Sequence, residues 1–161
     1  MPRGYAGRLL RVDLTAGKWK AEEIPEGMMR NFVGGNGFAA YIMFNELKPG
    51  VDPLGPDNIL MFMTGPLTGT PFPSSGRYAI YAKSPLTTAV WGEAHSGGYW
   101  GPELKYAGFD GIIITGRSEK PVYLWIHDGE VEIRDASHIW GLDVFETETV
   151  IKQELGDEKV K

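Results

Sequence analysis

Val122-Tyr123-Leu124-Trp125-Ile126-His127-Asp128-Gly129-Glu130-Val131-Glu132-Ile133-Arg134-Asp135 reads as strand, two-residue turn and strand. Val122, Leu124 and Ile126 alternate with their neighbours, Asp128-Gly129 is a strong hairpin signal, and Val131 and Ile133 resume the period on the return strand. Past Gly141, Asp143 with Glu146 three residues on announces a capped helix running through Leu155, with Val144, Ile151 and Leu155 on one face. The same order stands earlier in the chain. Leu10, Val12 and Leu14 alternate with Arg11 and Asp13, Ala16-Gly17 turns the chain into Trp19–Ile24, and an apolar segment Phe38–Leu47 ends at Pro49-Gly50. That segment is apolar nearly all round and predicts a buried helix.

Hairpin Leu9–Ile24 with helix Phe38–Leu47 thus matches hairpin Val122–Asp135 with helix Val144–Leu155. The expectation is an α+β fold with short helices in which a hairpin–helix unit recurs, read either as a duplication or as two instances of a common unit. The first copy continues into the apolar strand Ile59–Met63, paired across a loop with Arg77–Lys83. The second stops at Val160-Lys161, where the equivalent strand is due, so the chain is expected to be truncated at its C-terminus.

Between the copies, Thr64–Gly101 holds seven glycines and four prolines in 38 positions. A backbone spends glycine where it turns tightly or must come close to a ligand. Here the glycines stand beside hydroxyls and one guanidinium, at Ser74-Ser75-Gly76-Arg77 and at His95-Ser96-Gly97-Gly98. Together they suit an anion, with phosphate as first choice. Gly101–Gly108 reads as a short helix, with Pro102 in its first turn and Gly108 at its end. Phe109–Ile114 reads as a buried strand.

The bland readings stand beside these. Arg77 serves equally as a strand-edge arginine on a solvated face, and Gly97-Gly98 as a plain tight turn. His95 is a base, a metal ligand or a turn residue, with no second ligand at helical spacing; His127 and His138 fall in hairpin and loop. Glu93, Glu103 and Asp110 show no acid–base spacing, and Glu103 most simply complements the start of its helix. Trp91, Tyr99 and Trp100 are flat enough to wall a heterocycle and ordinary as core. Neither a phosphate-binding Walker loop nor a dinucleotide G-x-G-x-x-G is present.

At 161 residues, 42% hydrophobic and 23% charged, the chain is one domain's worth of globular protein. A net charge of -5 argues against nucleic acid, and no apolar run is long enough for a membrane span. Met1–Leu14 lacks a signal-peptide core, so a cytoplasmic location is expected. Cysteine is absent, which removes disulfides and thiolate ligands from this stretch.

Several segments, taken together and in order, carry a resemblance: Gly65–Thr70, Gly76-Arg77-Tyr78, Lys83-Ser84-Pro85-Leu86-Thr87, Ser96-Gly97-Gly98-Tyr99, Glu103–Asp110 and Ile133–Gly141. They closely resemble the N-terminal domain of the tungsten-containing aldehyde:ferredoxin oxidoreductases, over essentially the whole chain. The resemblance implies oxidation of aldehydes to carboxylic acids with water as oxygen source. It implies a tungsten (or molybdenum) bis-pterin, magnesium, and a 4Fe-4S cluster that passes electrons to ferredoxin. It also implies a base domain, residues 1–161, of two sheets related by a pseudo-two-fold, on which the cofactor sits. Arg77 then reaches toward a pterin phosphate and the cluster, and Ser96, Gly97 and Gly98 lie against the cofactor. His95 holds magnesium through its backbone carbonyl, at a position where the family's familiar residue is asparagine. No catalytic residue falls in this domain; cluster ligands and proton-handling groups belong to later domains of the chain. An aromatic acyl-CoA reductase subunit is the nearest alternative within the resemblance. From another class, a non-catalytic module that binds a phosphorylated ligand fits the same residues. A homo-oligomer stays open.

Overall fold

A computed structural model describes residues 4–87 and 90–161. Thr88 and Ala89 of the glycine-rich stretch, and the first three residues of the N-terminal segment, lie outside the described residues. The fold is α+β with two sheets, as the resemblance implies. In chain order the elements are β1 (Arg8–Asp13), β2 (Lys18–Glu23), α1 (Glu26–Phe32), α2 (Asn36–Glu46), β3 (Leu60–Thr64), β4 (Tyr78–Lys83), β5 (Trp91–Ser96), α3 (Trp100–Tyr106), β6 (Gly111–Thr115), β7 (Val122–His127), β8 (Glu130–Asp135) and α4 (Val144–Leu155).

Six strands form the larger sheet in the order β2-β1-β6-β3-β4-β5, and β7-β8 form the smaller one. Only β1 and β6 run parallel; the other pairs are antiparallel. Successive side chains on a strand point to opposite faces, so a strand with both faces covered buries neighbours in sequence. On β1, Leu9 packs with Met61, Met63, Ala79, Tyr81 and Ile113 beneath α1 and α2. Leu10 and Val12 pack on the other face with Leu104, Phe109, Ile112 and Val131.

Helix α2 buries Phe38, Ala39 and Ile42, while Phe44 is 89% exposed and Tyr41 leans on Phe32 of α1. The expected all-round burial is therefore corrected: a helix lying on one sheet offers it one stripe only. Asp143 caps α4 as its spacing with Glu146 predicts. Its Oδ1 accepts from the N–H groups of Phe145 and Glu146, each at 2.8 Å, and Glu146 accepts from the N–H of Asp143. Val144, placed by its spacing on the inner face, is 78% exposed, and Ile151 and Leu155 are half-buried. The β7–β8 turn puts both Asp128 and Gly129 at positive φ, the two-residue geometry that matches strand twist.

One buried ion pair ties three segments together. Lys105 Nζ stands 3.2 Å from Asp110 Oδ1, with both side chains under a tenth exposed. Asp110 also accepts from the N–H groups of Ala6 (3.1 Å) and Gly7 (2.6 Å), and Lys105 donates to the carbonyls of Gly4 and Gly65. Every polar atom of the knot thus has a partner, the condition for burying charge. Among the described residues no helix is long and apolar enough to cross a membrane. A groove of about 930 Å³ opens between α3, β7 and α4, lined by Trp100, Leu124, Ile126 and Ile151.

Candidate functional site

The glycine-rich stretch folds into one corner at the ends of β3, β4 and β5. Thr68 Oγ1 donates to the carbonyl of Arg77 (2.8 Å) and accepts from the N–H of Gly65 (3.2 Å). Ser75 Oγ donates to the carbonyl of Thr70 (2.7 Å), and Gly69 N–H donates to that of Ser75 (3.0 Å). These bonds close residues 65–77 on themselves. A Cβ at Gly76 would stand 2.5 Å from the carbonyl oxygen of Gly98, so only glycine lets the two backbones meet there. Gly98 itself takes φ 99°, a conformation that side chains resist.

The register continues this approach. Tyr78 pairs with Ser96 and Ala79 with His95, which sets Arg77 beside Gly97 at the strand ends. All five sequence-predicted residues, Arg77, His95, Ser96, Gly97 and Gly98, therefore lie in one corner. The Arg77 side chain is exposed and has no partner among the described residues. No backbone acceptor among those residues meets the N–H of Gly97 or Gly98. Ser96 Oγ makes only a 3.5 Å contact with the carbonyl of Gly97, too long to count as a firm bond. A free guanidinium, a free hydroxyl and two free N–H groups on one surface suit a phosphate. Leu67, Phe72 and Tyr99 give this corner an exposed apolar rim.

His95 lies on β5 and not in a turn, and β5 is the edge of the sheet, with one row of backbone groups facing away from β4. Its Nε2 meets Glu93 Oε1. Glu93 is the centre of a network that its spacing alone did not reveal. Its carboxylate accepts from Trp91 Nε1 (2.7 Å) and from Asn36 Nδ2 (3.0 and 3.1 Å), while Asn36 Oδ1 accepts from the Tyr81 hydroxyl (2.5 Å). The Trp91 indole N–H, then His95, hold the Glu93 carboxyl below the usual glutamate range. Burial, with the Glu93 charge second, pushes the Tyr81 phenol up to about 12.

The remaining candidates take structural places. Asp110 belongs to the buried knot, and Glu103 lies in the first turn of α3. Trp100 packs between Phe62 and Tyr78, and Trp91 leans on Tyr81. Tyr99 stays exposed beneath Lys161, whose Nζ is 5.5 Å from the ring centre. His138 meets Glu154 at 3.1 Å, and His127 stacks near Trp125. No group of three His, Asp or Glu side chains among the described residues could hold a metal ion. A cation here would need backbone or ligand oxygens.

Comparison with known proteins gives this corner its context. Residues 9–161 match the model of the aldehyde ferredoxin oxidoreductase N-terminal domain. The chain is 51% identical over 158 residues to a tungsten-containing aldehyde ferredoxin oxidoreductase of Pyrococcus furiosus, covering 98% of this chain and 26% of that protein. It is 45% identical to the WOR-like subunit of an aliphatic sulfonate oxidoreductase of the same organism, covering 96% and 25%. Among solved structures, the active-site complex BamBC of benzoyl coenzyme A reductase, in complex with 1,5-dienoyl-CoA, aligns with a TM-score of 0.95 at 40% identity, over 99% of this chain and 24% of that one. The chain spans about a quarter of the length of these relatives.

Proposed function

The chain belongs to the aldehyde ferredoxin oxidoreductase family, and on that premise we propose that it is the cofactor-carrying N-terminal domain of an enzyme that oxidises aldehydes to carboxylic acids. The observation that carries this reading is 51% identity over 98% of the chain to a relative named for that activity and for tungsten. On this reading residues 1–161 form the pterin-binding base. The rest of the site comes from the parts of such proteins that this chain does not span. When bound, a tungsten bis-pterin supplies a two-electron acceptor: aldehyde and water give carboxylic acid, two protons and two electrons. A 4Fe-4S cluster held by parts beyond this chain would supply the electron relay to ferredoxin, and a cytoplasmic location belongs to the same reading.

This chain's own residues bind and orient. The free Arg77 guanidinium is placed to donate to a pterin phosphate, and the Ser96 hydroxyl and the N–H groups of Gly97 and Gly98 suit its remaining oxygens. The edge position of β5 leaves the backbone carbonyl of His95 open, and it would be the group to hold a magnesium ion there. Gly76 keeps the two loops close enough for one anion to touch both. The direct test is full-length enzyme from tungstate-grown cells: tungsten near one per chain and aldehyde-dependent reduction of ferredoxin are expected. The 40% identity and TM-score of 0.95 to a benzoyl coenzyme A reductase complex favour a second reading, a reductase of aromatic acyl-CoA. Turnover with an aromatic acyl-CoA and none with any aldehyde would establish that reading in place of the first.

A further inference from the structure

We propose that Glu93 is a positioning residue that holds the His95 imidazole back from the phosphate-binding corner. The inference rests on the site assignment above. Ala79 and Tyr81 lie on one face of β4, buried beneath α2, and their partners His95 and Glu93 share that face. Arg77, two residues before Ala79, continues the same alternation, which makes it a diagonal neighbour of His95. The imidazole thus has two directions along β5. It can lean toward Gly97, whose missing side chain leaves open space beside Arg77, or back toward Glu93. A ring leaning toward Gly97 occupies the surface that a phosphate needs.

The structure shows the second direction, with Nε2 on Glu93 Oε1. Glu93 is held there by two further donors, one from its own strand and one from α2. Trp91 donates from its own strand, and Asn36 donates from the start of α2, itself fixed by the buried Tyr81 hydroxyl. A carboxylate with this many donors is anchored, and a side chain tied to an anchored group loses its alternative rotamers. The network therefore fixes which way the ring points, while the His95 backbone stays on the open edge of the sheet.

The test is a double-mutant cycle in the full-length enzyme, read as tungsten and pterin per protein. Glu93→Ala is expected to lower both by about threefold or more in the presence of His95, and to cause no further loss in a His95→Ala background, where there is no ring to misplace. Glu93→Asp keeps the charge but shortens the reach, and is expected to show the same dependence on background at smaller size. An equal loss in both backgrounds would make Glu93 a structural residue, and no loss beside His95 would overturn the proposal. Arg77→Ala separates the two levels. If it keeps full cofactor, the site assignment itself has failed; if it empties the site while Glu93→Ala does not, only the role of Glu93 has.

Discussion

The two hairpins carry the same local signal and live in different company. Strands β1 and β2 open the larger sheet, and Leu10 and Val12 of β1 are at most 1% exposed because Leu104, Phe109, Ile112 and Val131 pack on their face. Strands β7 and β8 form a sheet of two, in which Val131 is the strand residue buried, and α4 buries none of its residues. The second unit docks on the cluster of Leu10 and Val12 through Val131 and the half-buried Leu124, Ile126 and Ile133, and adds polar contacts to that apolar seam. Tyr123 and His138 both meet Glu154 of α4, Arg134 pairs with Glu132 and sits over Trp125, and Asp143 caps the helix. An alternating pattern specifies a hairpin, and the neighbours decide what holds it. The corner proposed to bind phosphate stands on the well-buried region, where packing keeps a surface in shape.

The largest expected effect is at the buried knot. Asp110→Ala leaves Lys105 charged and unpaired in the interior, and the cost is about 3–5 kcal/mol, measured by denaturant unfolding. Lys105→Met is expected to approach it, because the carboxylate is then left alone with two N–H donors. A loss as small as that of a surface pair would break the contrast between the two regions. Next comes Arg77. On the proposed assignment its contact with a phosphate would be worth about 1.5–3 kcal/mol, so Arg77→Ala should empty the cofactor site and Arg77→Lys retain part of the occupancy, with unfolding unchanged in both. Full tungsten content in Arg77→Ala would return it to a solvated strand end.

In the second region Asp143→Ala removes the cap of α4 and is expected to cost about 1 kcal/mol, visible as earlier fraying in hydrogen exchange. The smallest effect is pH. Hydrogen bonds hold Glu132 and Asp135 below the usual carboxylate range, Glu132 chiefly through Arg134 and Asp135 through the Ser137 N–H. Stability from such depressed groups is complete above their ordinary values and lost as pH falls through the depressed ones. Exchange in β7, β8 and α4 should therefore rise selectively below about pH 4. Equal acid sensitivity of β1 and β6 would show that packing and polar contacts do not divide as described.

Much of this was legible from local chemistry. Asp128-Gly129, the Asp143 and Glu146 spacing, and the alternation on β1, β7 and β8 each act within a few residues, and each element formed as expected. Helix α1 was not legible: it spans seven residues from Pro25 with no side-chain cap. Strand β5 was missed because an edge strand needs no apolar alternation, and Gly92-Glu93-Ala94-His95 offers none. Of the proposed site, Arg77 and Ser96-Gly97-Gly98 stood out by chemistry as guanidinium, hydroxyl and glycine, whereas His95 was assigned only through the family resemblance. Glu93 offered neither signal. Its meaning depends on Asn36, 57 positions away, which only the fold brings to it.

The position of β6 has a consequence for synthesis. It lies between β1 and β3, so the hairpin β1–β2 and the meander β3–β4–β5 have no sheet contact with each other until residues 111–115 are in place. The knot obeys the same schedule, since Gly7 bonds to Asp110 across 103 positions. A ribosome making this chain releases two separate halves of one sheet, and both wait for a single late strand to join them. Until it arrives, the glycine-rich loops have no floor beneath them, so on the proposed function cofactor capture would follow the threading of β6.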